Sequence, residues 1–154
     1  MPRKPALTDE HCPLCAPSNE HVLLKNDILR IILPDEPAYP GFVRVVLNAH
    51  IAEMTDLPPQ AQRQVMDTVL AVETVLRSTL QPDKINLASL GNYVPHLHWH
   101  VIPRYRDDAT WPDAVWAEPH RTSPSRAVDP TQLRIALQKA LGDSSGTGNA
   151  APAD

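Results

Sequence analysis

Long apolar runs are missing from this chain: no stretch approaches the ~18 apolar residues in a row that a membrane-spanning helix needs. Arg3 and Lys4 lie within Met1 to Thr8, yet no apolar segment follows them, so no secretory leader is recognised and a cytoplasmic location is expected. A basic excess is missing too. With 14 Lys+Arg against 18 Asp+Glu the net charge is -4, which argues against a general nucleic-acid binder and leaves any anionic substrate to be met by local groups. Cysteine is confined to Cys12 and Cys15, whose spacing, in a chain without an export signal, suggests a metal or redox pair more than a disulfide framework. No internal repeat is visible. Proline is what the chain has in plenty: 17 of 154 residues, about twice the usual ~5% share. Such a density breaks the chain into short elements and argues against a helix bundle. The 42% hydrophobic and 21% charged residues are ordinary globular values, which excludes a wholly disordered or fibrous chain, and the length fits one domain.

Met1 to Pro17 reads as a proline-punctuated arm carrying Cys12-Pro13-Leu14-Cys15, residues 18–141 as the folded domain, and 142–154 as a disordered tail. His21 to Lys25 and Ile28 to Leu33 are apolar and β-branched around the turn signal Asn26-Asp27, which predicts a hairpin. After the loop Pro34 to Gly41, the run Phe42 to Asn48 predicts a third strand. Pro58 to Leu80 predicts the one long helix, since Val65, Val69, Val72 and Leu76 recur at steps of three and four. Thr55 or Asp56 is the expected cap, and Pro82 the stop. Ile85 to Leu90 and Leu97 to Pro103 predict two more strands with an antiparallel connection, and Pro130 to Leu141 a short C-terminal helix. The expected class is α+β.

Chemistry concentrates in His96-Leu97-His98-Trp99-His100-Val101-Ile102, where three of the seven histidines fall within five residues. On a strand, residues i and i+2 share a face and lie about 6.6 Å apart, so His96, His98 and His100 face one pocket while Leu97, Trp99 and Val101 face the core. A merely solvated polar face is the bland alternative. Three zinc ligands on one strand spread too far to converge without a bend. An imidazole near its reference pKa of about 6.5 is mostly neutral at pH 7 and is already a competent nucleophile. Attack on phosphorus gives a phosphoramidate that water then hydrolyses, with flanking imidazoles donating to phosphate oxygens and the departing group.

The segment His96 to Ile102 resembles the His-φ-His-φ-His-φ-φ signature, φ being hydrophobic, of the histidine triad (HIT) superfamily. The resemblance extends through Tyr39-Pro40-Gly41, His50 and Ile85 to Asn92, and is strongest to small bacterial HIT hydrolases. It implies a five-stranded antiparallel sheet with a helix, usually paired into a homodimer. It also implies an enzyme: a nucleotide hydrolase or transferase in which His98 attacks the α-phosphorus of a dinucleoside polyphosphate or nucleoside phosphoramidate, and His100 contacts the phosphate and leaving group. A non-catalytic nucleotide-binding module and a zinc-dependent hydrolase with its metal at the triad are the alternative readings. The backbone at Asn92 and Tyr93 would line the oxyanion side. Asn86 and Asn92 match phosphate- or ribose-binding positions, and Asp35 lies near the ribose-binding acid. Phe42 and Tyr93 depart from the family's usual residues, so contacts made by side chains there do not carry over.

In the related galactose-1-phosphate uridylyltransferases the first triad histidine and one about fifty residues upstream join a Cys-x-x-Cys at zinc. The resemblance therefore implies a structural zinc on Cys12, Cys15, His50 and His96, which would make His96 a ligand and not a phosphate contact. Metal-free thiols and a redox pair stay open as alternatives, and the covalent chemistry itself requires no metal. His11, His21 and His120 have no partner spacing and are expected on the surface. Arg104 is expected either near phosphate or as an exposed strand cap. Trp111 and Trp116 could stack on a base, cross a dimer interface or close the core.

Overall fold

A computed structural model describes residues 9–145. The residues 1–8 of the arm and 146–154 of the expected tail lie outside it. The first hairpin pairs β1 (Val22–Lys25) with β2 (Leu29–Ile32). Its turn forms because the Asn26 carboxamide oxygen accepts from both the Ile28 and Leu29 amides at 2.9 Å, an Asx turn that closes the chain locally. β3 (Val43–Leu47) lies against β2, and the pair β4 (Lys84–Ala88) and β5 (His98–Arg104) completes an antiparallel sheet of order β1-β2-β3-β5-β4. The α+β class and the five-stranded antiparallel sheet are as expected.

Gly41 enters β3 at φ 84°, and a Cβ there would stand 2.5 Å from Leu80 Cδ1. Only glycine meets both the left-handed backbone and the close packing. Between β3 and β4 runs α1 (Pro59–Leu80), whose Val65, Val69, Val72 and Leu76 are buried against Val43, Val45 and Val101 of the sheet. Each such side chain contributes about 1.5–3 kcal/mol by leaving water. The expected cap is corrected: Thr55 and Asp56 belong to a separate 3-10 turn, Met54–Asp56, and α1 starts from Pro58 without a side-chain cap. Pro59 at the first helical position lacks the amide that a cap would satisfy. Gln81, left-handed at φ 49°, ends the helix before Pro82. α2 (Pro130–Ser145) continues four residues beyond the expected end at Leu141, and its Leu133 and Leu137 join the same core.

The helices thus cover one face of the sheet. Period-2 alternation sends Arg44, Val46, His98, His100, Ile102 and Arg104 to the other. There Arg104 overturns both expectations for it, being 1% exposed with its Nε and Nη2 donating to the two Asp108 carboxylate oxygens at 2.7 and 2.9 Å. Its Nη1 donates to Asn86 Oδ1 and its Nη2 to the Asp113 carbonyl, at 2.9 and 2.8 Å. Asn86, half-buried in mid-strand, thus uses its carboxamide oxygen to hold Arg104. Arg104 fastens the irregular segment after β5 onto the sheet, with Trp111 stacked 5.6 Å from its guanidinium.

Candidate functional site

His98 and His100 lie side by side on the open face, ring centroids 4.9 Å apart and nearly perpendicular. A backbone carbonyl only accepts, so the 2.6 Å contact from His98 Nδ1 to the His96 carbonyl places the proton on Nδ1. The Nε2 lone pair is left for chemistry. Burial holds this imidazole below its ordinary pKa, reinforced by the charge of Arg44 and opposed by the carbonyl contact, so it is neutral at pH 7. His100 is 6% exposed, and burial, with smaller contributions from His98 and Arg44, lowers it to about 4. Phe42 and Trp116 pack edge-on to its ring at 5.3 and 5.2 Å. This contact with His100 is none of the three roles expected for Trp116.

A cavity of about 450 Å³ opens beside His98. One wall is the segment from Pro13 to His21; the others come from Ile32 to Asp35, Arg44 and Val94. Asp35 accordingly borders the cavity. Asn92 is exposed and outside the lining, Tyr93 is 97% exposed, and Val94 is the residue of that loop that borders the cavity. His21 and His11 are exposed as expected, His21 at the cavity rim. His120 is exposed but does have a partner, Asp113, at 2.7 Å. Arg44 went unnoticed in the sequence. The signal was there: in Phe42-Val43-Arg44-Val45-Val46 one charge interrupts an apolar strand, at the parity of Phe42 and Val46 and opposite to Val43 and Val45, whose β-branched side chains are core.

His96 leaves the pocket. Its ring is 0% exposed and absent from the cavity lining, enclosed instead by Cys12, Cys15 and the Leu47 carbonyl. Sharing a face with His98 and His100 was the expectation, but β5 begins at His98, so His96 precedes the paired strand. Its Nε2 contacts that carbonyl at 2.6 Å and so carries the proton, leaving the Nδ1 lone pair 3.4 Å from Cys12 Sγ and 3.3 Å from Cys15 Sγ. His50 Nδ1 is 3.2 Å from Cys15 Sγ, and the four donor atoms all lie within 4.8 Å of one another. In a tetrahedral zinc site, bonds of about 2.3 Å to sulfur and 2.0–2.1 Å to nitrogen set S···N near 3.6 Å. The donor set fits zinc in type and spacing, and the carbonyl behind His96 is the usual outer partner of a ligating histidine. Cys12 and Cys15 form one turn, the Cys15 and Ala16 amides donating to the Cys12 carbonyl at 3.1 and 3.0 Å. Arg30, buried on β2, holds that turn by donating to the Leu14 carbonyl at 2.8 Å and to both Glu20 carboxylate oxygens.

A family model described as HIT domain matches residues 16–107, more than half of the chain. The chain belongs to the HIT domain family. Cys12 and Cys15 lie just before the matched stretch of this HIT protein. A bis(5'-nucleosyl)-tetraphosphatase [asymmetrical] of Schizosaccharomyces pombe is 25% identical over 107 residues, 66% of this chain and 59% of that protein. A bis(5'-adenosyl)-triphosphatase of Saccharomyces cerevisiae is 29% identical over 93 residues, 56% of this chain and 45% of that one. The HIT protein thus spans roughly half the length of these curated relatives. A histidine triad protein from Marinobacter aquaeolei VT8 has the same fold, with a TM-score of 0.65 and 28% identity over 89% of this chain and 96% of that one. No helix among the described residues is long and apolar enough to cross a membrane.

Proposed function

We propose that this chain hydrolyses nucleoside phosphate derivatives at the α-phosphorus through a covalent nucleotidyl-His98. The observation that carries this is the His98 imidazole at the cavity wall with its Nδ1 proton committed to the His96 carbonyl. Its opposite nitrogen meets substrate as a neutral nucleophile already oriented, without waiting for a base. His98 Nε2 attacks, the N–P bond forms, and the P–O bond to the leaving group breaks with its electron pair passing to oxygen. Water then adds to phosphorus, the N–P pair returns to Nε2, and a proton is released. His100, held neutral at pH 7 by its burial, would donate an N–H to the phosphate or the departing group. Asp35 is the acid available to ribose hydroxyls. The names of the two curated relatives, both nucleoside polyphosphatases, support the substrate class.

Cys12, Cys15, His50 and His96 would hold a zinc ion whose contribution is structural, closing the arm over the sheet. His96 then belongs to the metal, and the chemistry rests on His98 and His100. For the assembly we propose a homodimer through the sheet edge at β4, where Leu87, Leu90 and Tyr93 are exposed.

The test is a panel of dinucleoside polyphosphates and nucleoside phosphoramidates assayed for released nucleoside monophosphate with wild type and His98→Ala. Wild type should turn over at least one class and the variant none, with the melting temperature unmoved. Unchanged turnover by His98→Ala refutes the assignment.

A further inference from the structure

Arg30 and Arg104 are both closed off in bidentate carboxylate pairs. Arg44 is not. Its Nε is buried without a hydrogen-bond partner among the described residues, and Glu36 Oε1, its ion-pair partner, lies 3.8 Å from Nη2, beyond hydrogen-bond reach, the two side chains 29% and 42% exposed. The guanidinium stands 5.5 Å over the Phe42 ring, and Arg44 is the one lysine or arginine among the described residues lining the cavity that holds His98. A guanidinium drawn partly out of water with an unfilled donor lacks one of its charge-assisted hydrogen bonds, and an entering phosphate supplies the matching pair of oxygens.

Its place along the sheet distinguishes which phosphate. Arg44 stands opposite His100, while the nucleophile His98 stands opposite Val46, two residues further along the ladder, or roughly 6.6 Å. The cation is thus displaced along the sheet from the nucleophile His98 toward His100.

We propose, resting on the covalent His98 reading, that Arg44 grips the phosphates of the departing group and makes phosphoanhydrides, as in dinucleoside polyphosphates, the substrate class favoured over phosphoramidates. When His98 Nε2 displaces a phosphoanhydride, the broken P–O bond leaves its electron pair on an oxygen that departs as an anion and needs no proton. A nearby fixed cation stabilises that developing charge directly. When it displaces a phosphoramidate, the broken P–N bond leaves its pair on nitrogen, which must collect a proton to depart. A guanidinium keeps its protons at any working pH and cannot supply one. Glu36 competes for the same guanidinium.

The experiment measures kcat/KM for diadenosine tetraphosphate and for adenosine 5'-phosphoramidate with wild type, Arg44→Gln, Arg44→Lys and Glu36→Gln. The ratio of the two values is independent of how much protein is folded, so a destabilised variant still reports. Arg44→Gln is expected to lose about 30- to 100-fold on the tetraphosphate and under about 3-fold on the phosphoramidate. Arg44→Lys should recover part of the loss, since a point charge replaces the fork, and Glu36→Gln should raise the ratio. Equal losses on both substrates overturn the proposal, as does a wild type that prefers the phosphoramidate; both leave the His98 reading standing. A wild type that turns over neither overturns that reading itself.

Discussion

His96 and His98 are two residues apart and their rings have opposite hydrogen-bond polarity. In His96 the Nε2 proton goes to the Leu47 carbonyl and the Nδ1 lone pair faces two thiols. In His98 the Nδ1 proton goes to the His96 carbonyl and Nε2 is left for the cavity. Residue type and spacing are the same, so the choice of nitrogen is made by which backbone carbonyl each ring meets. One carbonyl leaves the Nδ1 lone pair of its imidazole available to a metal, another leaves the Nε2 lone pair of its neighbour available for attack. Surroundings differ in the same way, since a cysteine turn held by Arg30 closes over one ring and a 450 Å³ cavity opens beside the other.

Removing one ring at a time separates the two roles. His98→Ala is expected to lower kcat by about 10⁴-fold or more while zinc content and melting temperature stay at wild-type values, read by steady-state kinetics, metal analysis and thermal unfolding. His96→Ala should do the reverse in order of severity: bound zinc falls from about one per chain to about none, and denaturant unfolding shows a loss of about 4 kcal/mol or more. Away from both rings, Asp108→Asn uncovers the charge of Arg104 in a site where the two side chains are 2% and 3% exposed. Breaking one partner of such a pair costs about 3–5 kcal/mol, to be measured by urea unfolding, with zinc content unmoved.

The smallest expected effect concerns His100. Its folded pKa of about 4 lies below the reference value, so between pH 6.5 and 4 the unfolded chain binds the extra proton and stability falls as the pH falls. This contribution is complete well above pH 6.5 and has declined by roughly 2–3 kcal/mol at pH 4.5. Urea unfolding of wild type and His100→Gln at both pH values isolates it, since acid release of any metal is common to the two. An equal pH dependence in both proteins would show that this imidazole is not held neutral by its burial.

The strands, the hairpin and the long helix were legible because their signals are local: Asn26-Asp27 between apolar runs, and valines at helical spacing from Val65 to Leu76. Period-2 alternation likewise put His98 and His100 on one face. It did not reach His96, because alternation holds only within a paired strand and this residue stands before one. Arg104 was misplaced for a different reason. A basic residue after Pro103 reads as a surface terminus, and its burial depends on Asp108, in a loop with no periodicity. Trp116 reaches His100 from a segment that Arg104 holds through the Asp113 carbonyl, contacts between irregular and regular segments that spacing does not encode. Arg44 was legible in principle, as the one charge on an otherwise apolar strand.

A single-turnover mixture of protein and dinucleoside polyphosphate, quenched rapidly in alkali to preserve a P–N bond, and then digested and weighed peptide by peptide, tests the covalent step most directly. One nucleotidyl group should appear on His98 of the peptide containing residues 96–100, rising and decaying at the rate of turnover. Product forming at that rate while every histidine keeps its unmodified mass would contradict it.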